Sequence, residues 1–455
     1  MLTEAIANAV VGANYEKMPA AAIQIARMCL LDCLGVALAA LREPTARIIT
    51  EHVRQLGGKP ECGVIGGGYR TCAQFSALAN GTIAHALDFD DYAITSACHP
   101  TVVLFPAIFA LASREGLPGR SIIEAYLAGW EVGSKLGNEL APALQGRGWH
   151  PTSTIGTLAA TAACARLLRL TVSQTRTALG MAASQASGLN RNFGTDTKPF
   201  HAGNSAANAI TAVLLAQQGF SANQTALEGP GGFCRVLAEK DCAAALPDMA
   251  EGMDILSSYA IKPYPACGLT HRCIEATIHL AGQHQIQPEQ VALIECHVPP
   301  MFQKILVYPN PQNGLEGKFS MEYCIAAALL ERRMTLRQFE DERVLSAQTR
   351  AIMPRVKMVF LQGVEHMNMV AIAQSVRIVL NDGTEYVQEV PWAKGSAGNP
   401  MSWDEVVDKF RNCAETTLSS REIARVIELL EKLESLETID ELMEILGNAR
   451  PGSLR

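Results

Sequence analysis

Hydrophobic positions recur at spacings of three and four through most of the first 260 residues, the repeat of helices that bury a face. The pattern predicts helices over 20–40, 45–56, 73–87, 101–113, 120–136, 154–168, 173–187, 203–218 and 223–227. Ser173 reads as an N-cap without the full capping box, because Arg176 stands three residues on. One short strand is expected over 62–65. The texture changes at Lys262-Pro263-Tyr264-Pro265, where alternating prolines block a regular helix and mark a crossing between domains. Beyond it, helices at 270–283 and 320–332 mix with strands at 291–298, 356–361, 373–380 and 385–390. The last two flank Asn381-Asp382-Gly383-Thr384, a hairpin turn signal. After a loop at 394–400, amphipathic helices at 402–413, 419–436 and 438–446 are expected to rejoin the first domain. The fold class is therefore mainly α: a large all-helical domain over 1–265 and 397–455, and a smaller α+β domain over 266–396.

Composition sharpens this reading. Of 455 residues, 48% are hydrophobic and 18% charged, enough apolar material for a large core. Aromatics are only 6% while alanine and leucine abound, which favours close packing of helix on helix. The net charge is −7 and no basic run occurs, so a nucleic-acid partner is not expected. The apolar stretch 22–40 carries Arg27 and Asp32 and reads as a buried helix, not a membrane span. The opening MLTEAIANAV lacks the basic start and apolar core of a secretion signal. The 13 cysteines are scattered without a CxxC pair. Buried free thiols in a reducing cytoplasm are expected, and an iron–sulfur centre is not.

Four segments place polar groups in apolar surroundings, where they are costly unless paired or used. The first is His85-Ala86-Leu87-Asp88-Phe89-Asp90-Asp91-Tyr92, followed by His99-Pro100. If the helix continues, His85, Asp88 and Tyr92 share one face. Three aspartates within four positions need a cation, a metal or N–H donors; without HExxH spacing, a capped helix end competes with a metal site for Asp90 and Asp91. His99 opens the next helix and is a candidate base. The second segment sets His150 beside glycines, at the entrance of a helix whose free N–H groups suit an anion. In the third, Lys198 and His201 form a polar island with Asp196; a lysine beside a proline can equally be solvated. The fourth puts Lys262, Tyr264 and His271 at the expected domain junction, where ligand sites are frequent but where a rigid linker would look the same. Gly66-Gly67-Gly68 is no dinucleotide fingerprint, Gly229-Pro230-Gly231-Gly232 is no P-loop, and no GxSxG elbow occurs.

Taken in order, the strings HALDFDD with its downstream HP, GWHPTSTIGTLAATAA, MAASQASGL, GTDTKPFHAGNSAANAI, LEGPGGF and IKPYPACGLTH resemble the MmgE/PrpD family over about residues 80–275. A weaker KFSMEYCIAAAL from Lys318 extends the likeness. The resemblance implies a helical domain closed by the C-terminal helices, a smaller α+β lid, a homodimer, and a metal-free, cofactor-free active site between the two domains. It implies active-site roles for Asp88, His99, His150, Lys198 and Lys262, with Tyr264 and His271 lining the substrate; Tyr92 and His201 are further candidates for substrate binding from their place in these segments. One departure stands out: the family's aconitate decarboxylases have Asp-Asp-Thr where this chain has Asp91-Tyr92. The implied activity is that of a lyase on a small di- or tricarboxylate, of the 2-methylcitrate dehydratase or cis-aconitate decarboxylase kind. An epimerase of an imino- or amino-dicarboxylate, and a non-catalytic polycarboxylate-binding protein, are the alternatives.

Overall fold

The computed structural model describes residues 1–242, 253–364 and 372–451. The chain divides into two compact units, Met1–Ile261 with Ser402–Arg455, and Lys262–Met401. Lys262 and Tyr264, expected in the first domain, fall in the second unit.

The first unit is a stack of helices. Ala20–Ala39, Ala73–His85, Thr101–Glu115, Gly119–Gly146, Pro151–Leu167, Val172–Gln185 and Thr197–Gln217 make its body. Ala20–Arg42 is long and apolar enough to cross a membrane, yet 78% of its apolar window is buried within the protein. The C-terminal helix Trp403–Ala414 packs on Ala20–Ala39. Gly35 permits that contact, because a Cβ there would lie 3.0 Å from Cδ2 of Phe410.

Several helix ends differ from the pattern-based expectation. Ala73–His85 stops at His85, so Asp88 and Tyr92 do not continue its face. The cap before Val172–Gln185 is Thr171, in a full capping box with Gln174, and not Ser173. The expected helix at 223–227 is a turn: the Asn223 side chain accepts from the Thr225 amide at 2.9 Å, and glycines follow. Three further two-residue strands, Arg70–Thr71, Tyr92–Ala93 and Tyr259–Ala260, were not foreseen. All 13 cysteines are free thiols, and most are buried.

The second unit carries a four-stranded sheet in the order Val356–Phe360, Val291–Val298, Gln374–Leu380, Glu385–Val390. Only the first pair is parallel. Alternate residues Ile294, Cys296 and Val298 point into an apolar core shared with the helices His271–Gln283 and Met321–Glu331. The observed class is mainly α with a smaller α+β part.

Candidate active site

Two helices of the first unit come unusually close. A Cβ on Gly203 would sit 2.1 Å from the Leu78 carbonyl oxygen, and one on Gly81 would sit 2.8 Å from Cα of Gly203. Glycine on both sides is therefore what lets Ala73–His85 and Thr197–Gln217 touch backbone to backbone. After His85 the chain turns: the Asp88 amide donates to the His85 carbonyl at 3.3 Å, and Asp88 itself is left-handed at φ 52°. Aspartate tolerates that conformation better than most side chains. The outcome is a salt bridge of 2.8 Å between Asp88 Oδ1 and Lys198 Nζ, which stands in the first turn of Thr197–Gln217.

The same turn returns the Asp90 carboxylate to His85, whose Nδ1 lies 3.0 Å from Oδ1 and 3.1 Å from Oδ2. His99 Nδ1 lies 2.8 Å from Oδ2 of the same carboxylate. Its Nε2 stands 3.9 Å from Asp88 Oδ1. The His99 amide donates to Thr152 Oγ1 at 3.1 Å, tying it to the start of Pro151–Leu167. Burial alone would raise Asp90, but the two imidazoles outweigh it and hold the carboxyl well below its ordinary range. For His85 burial dominates, Asp90 only partly offsets it, and the imidazole is lowered to about 4.

Asp91, the next residue, has the opposite fate. Burial, then Asp90 and Asp32, push its carboxyl well above the ordinary range. It accepts a hydrogen bond of 2.8 Å from Thr101 Oγ1, which also meets the Tyr126 hydroxyl at 2.6 Å. Beneath this segment Lys409, from Trp403–Ala414, pairs with Asp32 at 2.6 Å and donates to the Phe89 carbonyl at 2.8 Å.

His150 caps Pro151–Leu167 and is buried. Its amide donates to the Gly188 carbonyl at 2.9 Å. Gly188 adopts φ 107°, and a Cβ there would strike Ser153 at 2.8 Å. His150 Nδ1 lies 3.1 Å from His201 Nδ1, so one ring donates and the other accepts. Burial, then the Lys198 cation, lowers both imidazoles, His150 the more strongly. The His150 ring stacks on His85 at 6.2 Å and meets Phe193 edge-on at 4.8 Å.

Asp88, His99, His150, Lys198 and His201 are thus gathered from four separate stretches of chain. Tyr92 is adjacent, its ring 6.4 Å from that of His99. Lys262, Tyr264 and His271 belong to the second unit. There His271 Nε2 lies 3.1 Å from the Ala266 carbonyl oxygen, and Tyr264 meets the His271 ring edge-on at 5.4 Å. Reasoning from sequence left His85 and Asp90 out of the site. The usable signal was the pairing of two histidines with three aspartates in a short apolar stretch.

His85, Asp88, Asp90 and His99 offer ligand atoms all within 4.8 Å of one another. The carboxylates among them are already committed. Both Asp90 oxygens meet imidazole nitrogens, and the Lys198 ammonium neutralises Asp88. A metal cation would have to face that ammonium, so the donor set suits proton handling better than metal binding.

Comparison with known proteins agrees with the motif order. The MmgE/PrpD N-terminal domain matches residues 4–244, and the MmgE/PrpD C-terminal domain matches residues 264–435. The chain is 27% identical over 446 residues to cis-aconitate decarboxylase of Mus musculus, covering 94% of this chain and 89% of that protein. It is 27% identical over 449 residues to cis-aconitate decarboxylase of Homo sapiens, covering 94% and 91%. With cis-aconitate decarboxylase of Aspergillus terreus it shares 25% over 459 residues, covering 95% and 93%. Matched through both of its domains, and carrying the family's ordered motifs around a buried imidazole–carboxylate–lysine cluster, this chain belongs to the MmgE/PrpD family.

Proposed function

We propose that this protein is a lyase acting on a small tricarboxylate, with decarboxylation of cis-aconitate as the leading reaction. The observation that carries the reading is the Lys198–Asp88 ion pair set among the neutral imidazoles of His85, His150 and His201 and beside His99. An ammonium recognises a substrate carboxylate by charge-assisted hydrogen bonds. An imidazole exchanges a proton with carbon. The relatives named above support the choice of substrate.

In such a reaction the bond between carbon and the departing carboxyl breaks and carbon dioxide leaves. The electron pair passes into the adjacent carbon–carbon double bond, and the carbon at its far end takes a proton. Lys198 stabilises negative charge on the remaining carboxylates as it develops. His99, once its Nε2 has taken a proton from solvent, or His150 supplies the proton. The roles of Lys262, Tyr264 and His271 in substrate binding rest on the family resemblance, and a rise in KM for Lys262→Ala is the outcome that supports them.

Hydration–dehydration of a methylcitrate is the second reading. Tyr92 is the reason to keep it in view, since an aromatic ring stands beside His99 where the aconitate decarboxylases have threonine. Incubation with cis-aconitate, 2-methylcitrate and iminodisuccinate, followed by mass and chirality, separates these readings. Loss of carbon dioxide from cis-aconitate is the expected result. Loss of water from 2-methylcitrate alone would select the second reading, and a change of chirality without change of mass would select an epimerase.

A further inference from the structure

We infer that Asp90 is a positioning residue: its carboxylate accepts Nδ1–H from both His85 and His99, leaving Nε2 of His99 as the atom that exchanges protons with substrate. The part about substrate rests on the function proposed above; the part about the two rings does not.

The geometry favours one arrangement of protons. Asp90 is completely buried, and the only side chains hydrogen-bonded to it among the described residues are the two imidazoles. An ionised carboxylate accepts and cannot donate. Both facing Nδ1 atoms must then carry hydrogen, and both Nε2 atoms carry a lone pair while the rings are neutral. A protonated Asp90 could donate to one ring only, and it would give up the two charge-assisted bonds that offset its burial. His85 supplies an independent sign: its Nε2 is buried and makes no hydrogen bond among the described residues. Buried N–H groups are seldom left orphaned, so a lone pair is the expected occupant.

The consequence falls on His99. With Nδ1 held at 2.8 Å by Asp90, its Nε2 is directed to the Asp88–Lys198 pair, 3.9 Å from Asp88 Oδ1. A carboxylate substrate drawn to the Lys198 ammonium would meet the basic nitrogen of His99 and not an N–H. When that nitrogen takes a proton, Asp90 stabilises the resulting imidazolium through the bond it already makes. An asparagine in place of this aspartate could not do the same. Its amide accepts through oxygen but donates through nitrogen, so one of the two rings would have to present a bare Nδ1 and move its hydrogen to Nε2.

The test reads ring nitrogens directly. The full-length protein is labelled with 15N-histidine and examined by long-range 1H–15N correlation at neutral pH without ligand. His85→Gln and His99→Gln identify the two signals. The expected result is Nδ1–H with unprotonated Nε2 for both rings; an Nε2–H form of His99 in the parent protein would overturn the inference, whatever reaction the enzyme runs. Asp90→Asn, its fold checked by circular dichroism, is expected to shift one ring to the Nε2–H form. If cis-aconitate is the substrate, it also lowers kcat by about 10²–10⁴ with KM little changed. Retention of both Nδ1–H signals together with parental kcat in that variant would equally overturn it. Absence of turnover by the parent protein would count against the proposed reaction alone, because the nitrogen spectra decide the proton arrangement without it.

Discussion

The sheet of the second unit and the helix-end cluster of the first treat charge in opposite ways. On the sheet, alternation sends Ile294, Cys296, Val376 and Ile378 inward. Arg377 stays at the surface, paired with Glu295 at 2.6 Å and with Glu385. Charges kept in water contribute little, about 0–1 kcal/mol a pair. In the cluster His85, Asp90 and Asp91 are almost wholly removed from solvent, where an unpaired ion costs several kcal/mol. A fold keeps such groups buried only when each is matched to a partner. Asp90 is matched by two imidazoles, which hold its carboxyl well below the ordinary range, whereas Asp91 is matched by a hydroxyl and its burial pushes the carboxyl well above that range. Adjacent residues of one type are thus shifted in opposite directions by their surroundings.

The contrast can be broken at several points. His99→Ala should reduce kcat by about 10²–10⁴ while circular dichroism stays that of the parent; parental kinetics would remove His99 from the reaction. Lys198→Ala breaks its buried ion pair with Asp88 and should cost about 3–5 kcal/mol in urea unfolding. Arg377→Ala on the sheet should cost far less in the same assay, because its ion pairs stay in contact with water. Equal losses would show that burial does not separate the two regions. Gly203→Ala forces a methyl against the Leu78 carbonyl, and a loss of about 1–3 kcal/mol is expected.

The smallest effect is in the dependence of stability on pH. The unfolded chain protonates histidine near pH ~6.5. The folded chain protonates His85 only near 4, and His150 and His201 also below their ordinary value. The unfolded state therefore binds more protons between these limits, and the melting temperature should fall as pH is lowered from about 6.5 towards 4. Asp91 acts the other way. Its raised carboxyl keeps a proton that the unfolded chain has released, so it favours the fold on acidification. Asp91→Asn removes that opposing contribution and should steepen the fall in melting temperature; a shallower fall would contradict the assignment.

Much of the fold was legible because burial imposes its period on the chain. Spacings of three and four marked the helices of the first unit, and the turn at 381–384 marked the hairpin between Gln374–Leu380 and Glu385–Val390. Helix ends were less legible. Thr197–Gln217 begins six residues before the expected start at 203, and Pro199 does not break it. A proline within the first turn lacks only an N–H that has no helical partner there. That shift places Lys198 and His201 on a helix and not in a loop. Gly119–Gly146 continues ten residues past the expected end at 136, with Pro142 inside it.

Of the site, Asp88, His99, His150 and Lys198 were legible as polar residues in apolar surroundings. The roles of Asp90 and Asp91 were not, because nothing local distinguishes them. Their difference depends on His99 and Thr101 from further along the chain, and on the Asp32–Lys409 pair, whose members are 377 residues apart in sequence. Lys409 itself gave no signal, being an ordinary lysine in an amphipathic helix until the fold brings it under Phe89.

In the proposed reaction the buried cluster delivers a proton to carbon on a small tricarboxylate. Turnover of cis-aconitate in heavy water, with products read by mass spectrometry, tests it most directly. Release of carbon dioxide and one deuterium fixed on carbon in the product are expected, with both lost in His99→Ala or His150→Ala. Product formed at the parental rate by both variants, or no turnover of cis-aconitate or 2-methylcitrate by the parent protein, would contradict it.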